Sequence, residues 1–282
     1  MIHRFSQVLK GTVLLWIVSL LMASPLWASR WPLAVTHPCL SSLVAFIGGA
    51  NIVVQPLARW DRGRLVRLHP DFQGLSALAL DRRDAAVYGL DQNADVVITL
   101  YRDFPVDRPI EEVFSDPATL PFLGQRVLGA ISGLDPDEYE YYQRRLAEFQ
   151  SRLDSTVSMG RRILKGARIL IFSETLEPLF VAAGCNVTLP SEDLLLALQS
   201  ALKPQSGLTE KKLIDLLNRW SQDMDAVVVG QEMNGKILKL IPELPKWIVA
   251  VPLDESVDPL VVLYDRYLAV WNVLRSDQAR KR

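Results

Sequence analysis

The stretch from Leu134 to Leu153 (LDPDEYEYYQRRLAEFQSRL) reads as one long helix, and the rest of the chain has to be arranged around it. Asp135 is placed as an N-cap, Pro136 suits the first helical position, and Asp137 and Glu138 set negative charge at the positive end of the helix dipole. Tyr139, Tyr142, Leu146, Phe149 and Leu153 follow at helical spacing and make one apolar stripe. Arg144, Arg145, Glu148 and Arg152 lie off that stripe and are expected to face water. Strand and helix patterns continue on both sides of this mid-chain segment, so it is expected to join two halves.

In the first half, Pro32 to Thr36 reads as a strand, Leu40 to Ile47 as a helix ended by Gly48 and Gly49, and Asn51 to Pro56 as a second strand. An arginine-rich loop is expected over Ala58 to Arg67, a short helix over Leu75 to Leu80, and strands over Ala85 to Tyr88 and Ala94 to Thr99. Arg102 to Pro117, rich in Pro and Asp, reads as a loop. Leu120 to Ile131 reads as a helix that Gly133 separates from the long one.

The second half alternates again. Strands are expected over Ala167 to Phe172, Ala226 to Val229 and Trp247 to Val251. Helices are expected over Leu176 to Ala183, Ser191 to Leu202, Thr209 to Gln222, Gly235 to Leu240 and Asp258 to Arg275. Such alternation implies α/β architecture with parallel sheets and right-handed crossovers. The expected fold is two lobes, each a mainly parallel sheet flanked by helices, joined by one long rigid linking helix. The boundaries are an N-terminal lobe over 29–133, the linking helix over 134–157 and a C-terminal lobe over 158–282. Ligands of open α/β sheets sit outside the carboxyl ends of the strands. The loops holding His37, His69, Glu174 and Gly230 to Asn234 are therefore where function is sought.

Residues 1–28 read as a leader rather than as fold. Arg4 and Lys10 precede the uncharged run Thr12 to Met22, and Ala23 to Ala28 ends in a small residue, the order of a cleavable secretory signal peptide. Export to the periplasm is expected. An exported chain could oxidise Cys39 and Cys185 to a disulfide, but they fall in different halves and are expected to be separate buried thiols. A net charge of -1 gives no general attraction to nucleic acid or anionic membranes. No nucleophile elbow, phosphate-binding glycine loop, His-Glu-x-x-His motif or triad spacing is visible, so an enzyme is not expected.

Several segments, in order, resemble the metal-binding solute receptors of bacterial ABC transporters, the zinc- and manganese-type periplasmic proteins. They are Ala34-Val35-Thr36 through Gly48-Gly49 to Ile52-Val53-Val54, Leu75 to Gly89, and Leu134-Asp135-Pro136 with Tyr139, Phe149 and Leu153. Ile169-Leu170-Ile171 through Leu179-Phe180 to Gly184, and Tyr264 to Asn272, continue the likeness. The resemblance implies capture of a divalent metal ion, zinc or manganese, in the cleft between the lobes, and delivery to a membrane ABC permease. A monomer is expected.

The family's ligand positions map incompletely. His69 lies close to the first. The second, usually Asp-Pro-His, is here Asp116-Pro117-Ala118. Glu174 stands at the third, and Asp258 flanks the fourth. The metal set implied is His69, Glu174, Asp258 and Asp116, with His37 lining the cleft; N and O donors of this kind suit zinc or manganese. From the residues alone, Asp116 suits a turn before a ligand, Asp258 an N-cap before a ligand, and Glu174 equally a cleft position or a helix cap. The alternative function is an accessory periplasmic protein that keeps the fold without metal and acts through a protein partner or another ligand.

Overall fold

The computed structural model describes residues 30–61, 64–68, 72–104, 108–202, 209–250 and 258–280. The leader at 1–28 and His69 lie outside the described residues.

The first sheet is parallel, in the order β2-β1-β5-β6, where β1 is Trp31–Val35, β2 Ile52–Pro56, β5 Ser76–Ala79 and β6 Val96–Thr99. Leu33 of β1 pairs with Val54 of β2 and Ser76 of β5. Helix α1, Pro38–Gly48, crosses from β1 to β2 and is buried along almost its whole length. It stops because Gly49 takes a φ of 55°, and because any side chain there would run into the Tyr141 hydroxyl. After β2 comes an antiparallel hairpin, β3 (Ala58–Asp61) with β4 (Arg64–Arg67). Helices α2 (Arg82–Val87) and α3 (Leu90–Asn93) lead from β5 to β6, and α4 (Ile110–Ser115) and α5 (Leu120–Leu134) lead towards the long helix.

That helix, α6, runs over Tyr139–Leu164 after a 3-10 turn at Pro136–Glu138. Tyr142, Leu146, Phe149 and Leu153 are buried as the stripe requires, each worth about 1.5–3 kcal/mol by area. Tyr139 is exposed, because the chain is still leaving the 3-10 turn there. Asp135 makes no capping bond; its carboxylate accepts the Tyr142 hydroxyl at 2.7 Å. Two arginines expected in water are held by protein instead. Arg145 donates to the Phe46 carbonyl at 2.8 and 3.0 Å and lies over its ring, and Arg152 pairs with Asp258 at 2.7 Å.

The second sheet is also parallel, β10-β9-β7-β8, from β7 (Arg168–Ile171), β8 (Asn186–Thr188), β9 (Ala226–Val229) and β10 (Trp247–Val249). Helices α7 (Glu177–Ala182), α8 (Glu192–Leu202), α9 (Glu210–Trp220) and α10 (Gly235–Leu240) connect these strands, and α11 (Pro259–Arg280) closes the fold. α11 packs along α6, and Tyr267 fills the space that Gly160 leaves open. Cys39 and Cys185 are separate buried thiols. None of the described helices is long and apolar enough to cross a membrane.

Six expectations need correction. Leu75 to Leu80 is not a helix but the central strand β5, whose Ala77, Leu78 and Ala79 are buried on both faces; so short an apolar run has no readable period. Ala85 to Tyr88 is not a strand. It belongs to α2, which starts because Asp81 accepts the Asp84 amide at 2.9 Å. Ala58 to Arg67 forms the hairpin rather than a loop, and Arg102 to Pro117 contains α4. Gly133 does not break α5, which runs through it to Leu134. The long helix reaches Leu164, past residue 157.

One apolar core runs through both lobes. It joins Leu33 and Leu43 of the first, Phe149 and Leu153 of α6, and Ile169, Phe180 and Tyr267 of the second. α6 is thus packed on both sides rather than spanning open water.

Candidate functional site

In each sheet the chain runs from the first strand outwards to the second, then returns past the first to continue on its other side. This places a switch point between β1 and β5 and another between β7 and β9. A crevice opens at such points, outside the strand ends. His37 follows β1, Asp81 follows β5, Glu174 follows β7 and Gly230 follows β9. Helix α4 packs against the 3-10 turn Glu174–Leu176 and against α7, so the two crevices meet there.

His37 forms the wall on the first side. Its Nδ1 accepts the Cys39 amide at 3.3 Å and so caps α1. Its Nε2 faces Glu111 of α4 at 3.6 Å. The ring stacks on Phe114 at 6.3 Å and meets Trp60 of the hairpin edge-on at 5.7 Å. Burial disfavours charge on this ring. While Nδ1 caps Cys39 it carries no proton, so the neutral ring bears its hydrogen on Nε2, towards Glu111. His37 is therefore held through Nδ1, with Nε2 turned to Glu111.

Beside it, Thr36 donates to Asp84, whose carboxylate also accepts the Leu80 amide at 3.0 Å, and Asp81 accepts the Phe104 amide at 3.1 Å. These carboxylates tie strand ends together. From the second lobe, Arg266 of α11 is buried and reaches Ser115 of α4 at 3.4 Å.

The remaining candidates are placed as follows. Glu174 is exposed on its 3-10 turn, next to α4. Asp116 sits in the turn its sequence suggests: Oδ1 accepts the Ala118 amide at 2.9 Å, and Oδ2 lies 3.5 Å from Arg108. Asp258 caps α11 through the Leu260 amide at 2.9 Å and pairs with Arg152. Among the described residues no group of three or more His, Cys, Asp or Glu is placed to hold a metal ion. His69 lies outside them.

Sequence reading passed over Glu111, Phe114, Trp60 and Arg266. Two signals were present. Pro109 followed by Ile110-Glu111-Glu112-Val113-Phe114 has the acidic first turn of a helix. Arg266 falls between Leu263 and Tyr267, on the buried side of α11.

No protein-family model matches the chain, and no curated protein matches it in sequence. Solved structures match it in fold. The solute-binding protein FpvC from Pseudomonas aeruginosa, in complex with Mn2+, is 15% identical at a TM-score of 0.59; the match covers 88% of this chain and 99% of that one. A Zn(II)-bound variant of AdcAII from Streptococcus pneumoniae is 10% identical at 0.59, over 87% of this chain and 99% of that one. A Mn-bound periplasmic metal binding protein from Candidatus Liberibacter asiaticus is 11% identical at 0.57, over 87% and 100%.

Proposed function

We propose that this chain, built on the fold of the metal-binding solute-binding proteins, is an exported receptor that captures a divalent cation, zinc or manganese, in the seam between its lobes and hands it to a membrane ABC permease. The observation that carries this reading is the architecture: two parallel sheets with their switch points brought together at α4 and the Glu174–Leu176 turn, on one continuous brace. His69 and Glu174 are the donors proposed for the ion, with Asp116 and Asp258 as outer candidates. A carboxylate already held by arginine, like those of Asp116 and Asp258, must give up that partner before it can ligate. Two lasting protein donors leave the other coordination positions to water, so binding is expected to be weak. We place the lobe boundaries at the two ends of α6. Because the core passes through that helix, capture involves little closure of the lobes.

The test is thermal unfolding with and without Zn2+ and Mn2+, for the native chain and His69→Ala. A receptor gains about 2.7 kcal/mol when the ion is in hundredfold excess over its dissociation constant. Loss of that gain in His69→Ala supports the donor assignment. A gain that survives the substitution moves the site but keeps the class.

One observation favours a second reading, an accessory protein that keeps the scaffold without metal. The described residues hold no three-donor group, and the His37 Nδ1 is held by the Cys39 amide. Absence of any shift with either ion decides for it.

A further inference from the structure

The β3–β4 hairpin leaves one strand edge unpaired. Among the described residues its sheet holds only these two strands, and every residue of β4 is exposed, Leu65 at 41% and Val66 at 38%. The register pairs Ala58 with Arg67, Arg59 with Val66, Trp60 with Leu65 and Asp61 with Arg64. One step further along, Leu68 donates to the Leu57 carbonyl at 2.8 Å. Hydrogen-bonded pairs alternate along an antiparallel ladder, so Arg64 and Val66 bond to β3 through their backbones. The N–H and C=O groups of Leu65 and Arg67 then point away from β3, and no backbone group of the described residues pairs with them. The far edge of the hairpin differs, because Ala58 there is fully buried.

The side chains along the free edge are apolar and basic. Arg64 and Val66 share one face with Arg59 and Asp61, and Leu65 and Arg67 share the other with Trp60. Arg67 is occupied: it donates to the Val87 carbonyl at 3.2 Å and lies over the Tyr88 ring. Arg59 and Arg64 are exposed and take part in none of the ion pairs among the described residues.

We propose that β4 accepts an extended acidic segment of a partner protein as a third strand, its backbone paired with Leu65 and Arg67, an acid beside Arg64 and apolar side chains against Leu65 and Val66. In strand addition the main-chain bonds supply affinity and the side chains supply choice. Charge decides between occupants. Two copies meeting along β4 would each bring two arginines and no acid to the shared ladder, and like charges across strands repel. A bare anion would satisfy the arginines and leave the outward N–H and C=O groups unmatched. An acidic strand satisfies both. Because Trp60 of the same hairpin meets His37 edge-on, the partner would dock beside that histidine. No residue proposed for the metal ion takes part, so this inference stands apart from that reading.

The test is fluorescence anisotropy of the purified protein with the labelled peptide Glu-Val-Glu-Ile-Glu-Val-Glu. The peptide Glu-Pro-Glu-Pro-Glu-Pro-Glu has the same charge but cannot pair as a strand, and Lys-Val-Lys-Ile-Lys-Val-Lys reverses the charge. Saturable binding of the first is expected, about tenfold tighter or more than either control and weaker in about 1 M salt. Arg64→Glu, at an exposed position, should weaken it about tenfold. Leu65→Pro removes an N–H that faces away from β3, which an edge strand tolerates, and should weaken it as much. If melting curves show that Leu65→Pro disturbs the fold, Arg64→Glu and the proline peptide decide. Absence of saturable binding at millimolar peptide overturns the proposal. So does equal binding of the proline peptide, which would leave charge alone at work, or binding unchanged in Arg64→Glu.

Discussion

In the first sheet, the strand at the switch point leads into His37, buried between Phe114 and Trp60, with Nδ1 accepting the Cys39 amide and Nε2 3.6 Å from Glu111. In the second, the strand in the same topological place leads into Glu174, exposed on a 3-10 turn. The strand order is the same in both sheets, outer strand, first strand, third and fourth. What differs is the connection after the second strand: a hairpin in the first lobe, the helices α8 and α9 in the second. The hairpin brings Trp60 onto His37 and covers it with aromatic surface, while the helices back the other sheet. Two crevices of one topology thus end differently, one in a histidine held by aromatic neighbours and one in an exposed carboxylate.

The strongest way to break this comparison is through the shared brace. Phe149 is fully buried and packs edge-on against Phe46 of the first lobe, while further along the same helix Gly160 receives Tyr267 of the second. Phe149→Ala should cost about 3–5 kcal/mol. Because one core runs through both lobes, urea unfolding should remain a single transition shifted to lower denaturant. Two separate transitions would show that the lobes are only neighbours.

A smaller effect tests the other side of the brace. A β-carbon on Gly160 would lie 2.6 Å from the Tyr267 ring. Helix propensity alone predicts that Gly160→Ala stabilises by about 1 kcal/mol. The overlap with a fully buried ring should win and make it destabilising by about 1–3 kcal/mol. Gly133, in α5, has nothing within 4 Å of its would-be β-carbon, so Gly133→Ala should stabilise by about 0.5–1 kcal/mol. A pair of melting curves with the opposite order would remove the packing argument.

How far the sequence carried this can be judged from the same residues. The long periodic signal was sound, Tyr142 to Leu153 making the brace legible, and two short runs, Ala226–Val229 and Gly235–Leu240, also matched to the residue. Short apolar runs failed where tertiary placement outweighed pattern. Ser76–Ala79 is a strand because it lies between two others, which no local window contains. Of the site, His37 was legible as a strand-end residue, but its cage was not. Glu111 and Phe114 sat in a segment whose prolines and aspartates read as loop, and Trp60 reaches His37 only through the hairpin register.

The smallest effect probes that cage. The hydrogen bond from His37 holds the Glu111 pKa below its ordinary 4.5. A carboxylate with a lowered folded pKa contributes stability that is present above the unfolded value and lost as pH falls through the folded one. Glu111→Gln should therefore be destabilising at neutral pH, and the difference from the native chain should shrink below pH 4.5. Since Glu111 is 37% exposed, solvent screening keeps the difference below about 1 kcal/mol. Glu174→Gln, the matching change at the exposed carboxylate, should leave stability within about 0.5 kcal/mol at either pH. If both substitutions give the same flat pH profile, the contrast between a caged and an exposed strand end has no energetic basis, and His37 would be held by its aromatic neighbours alone.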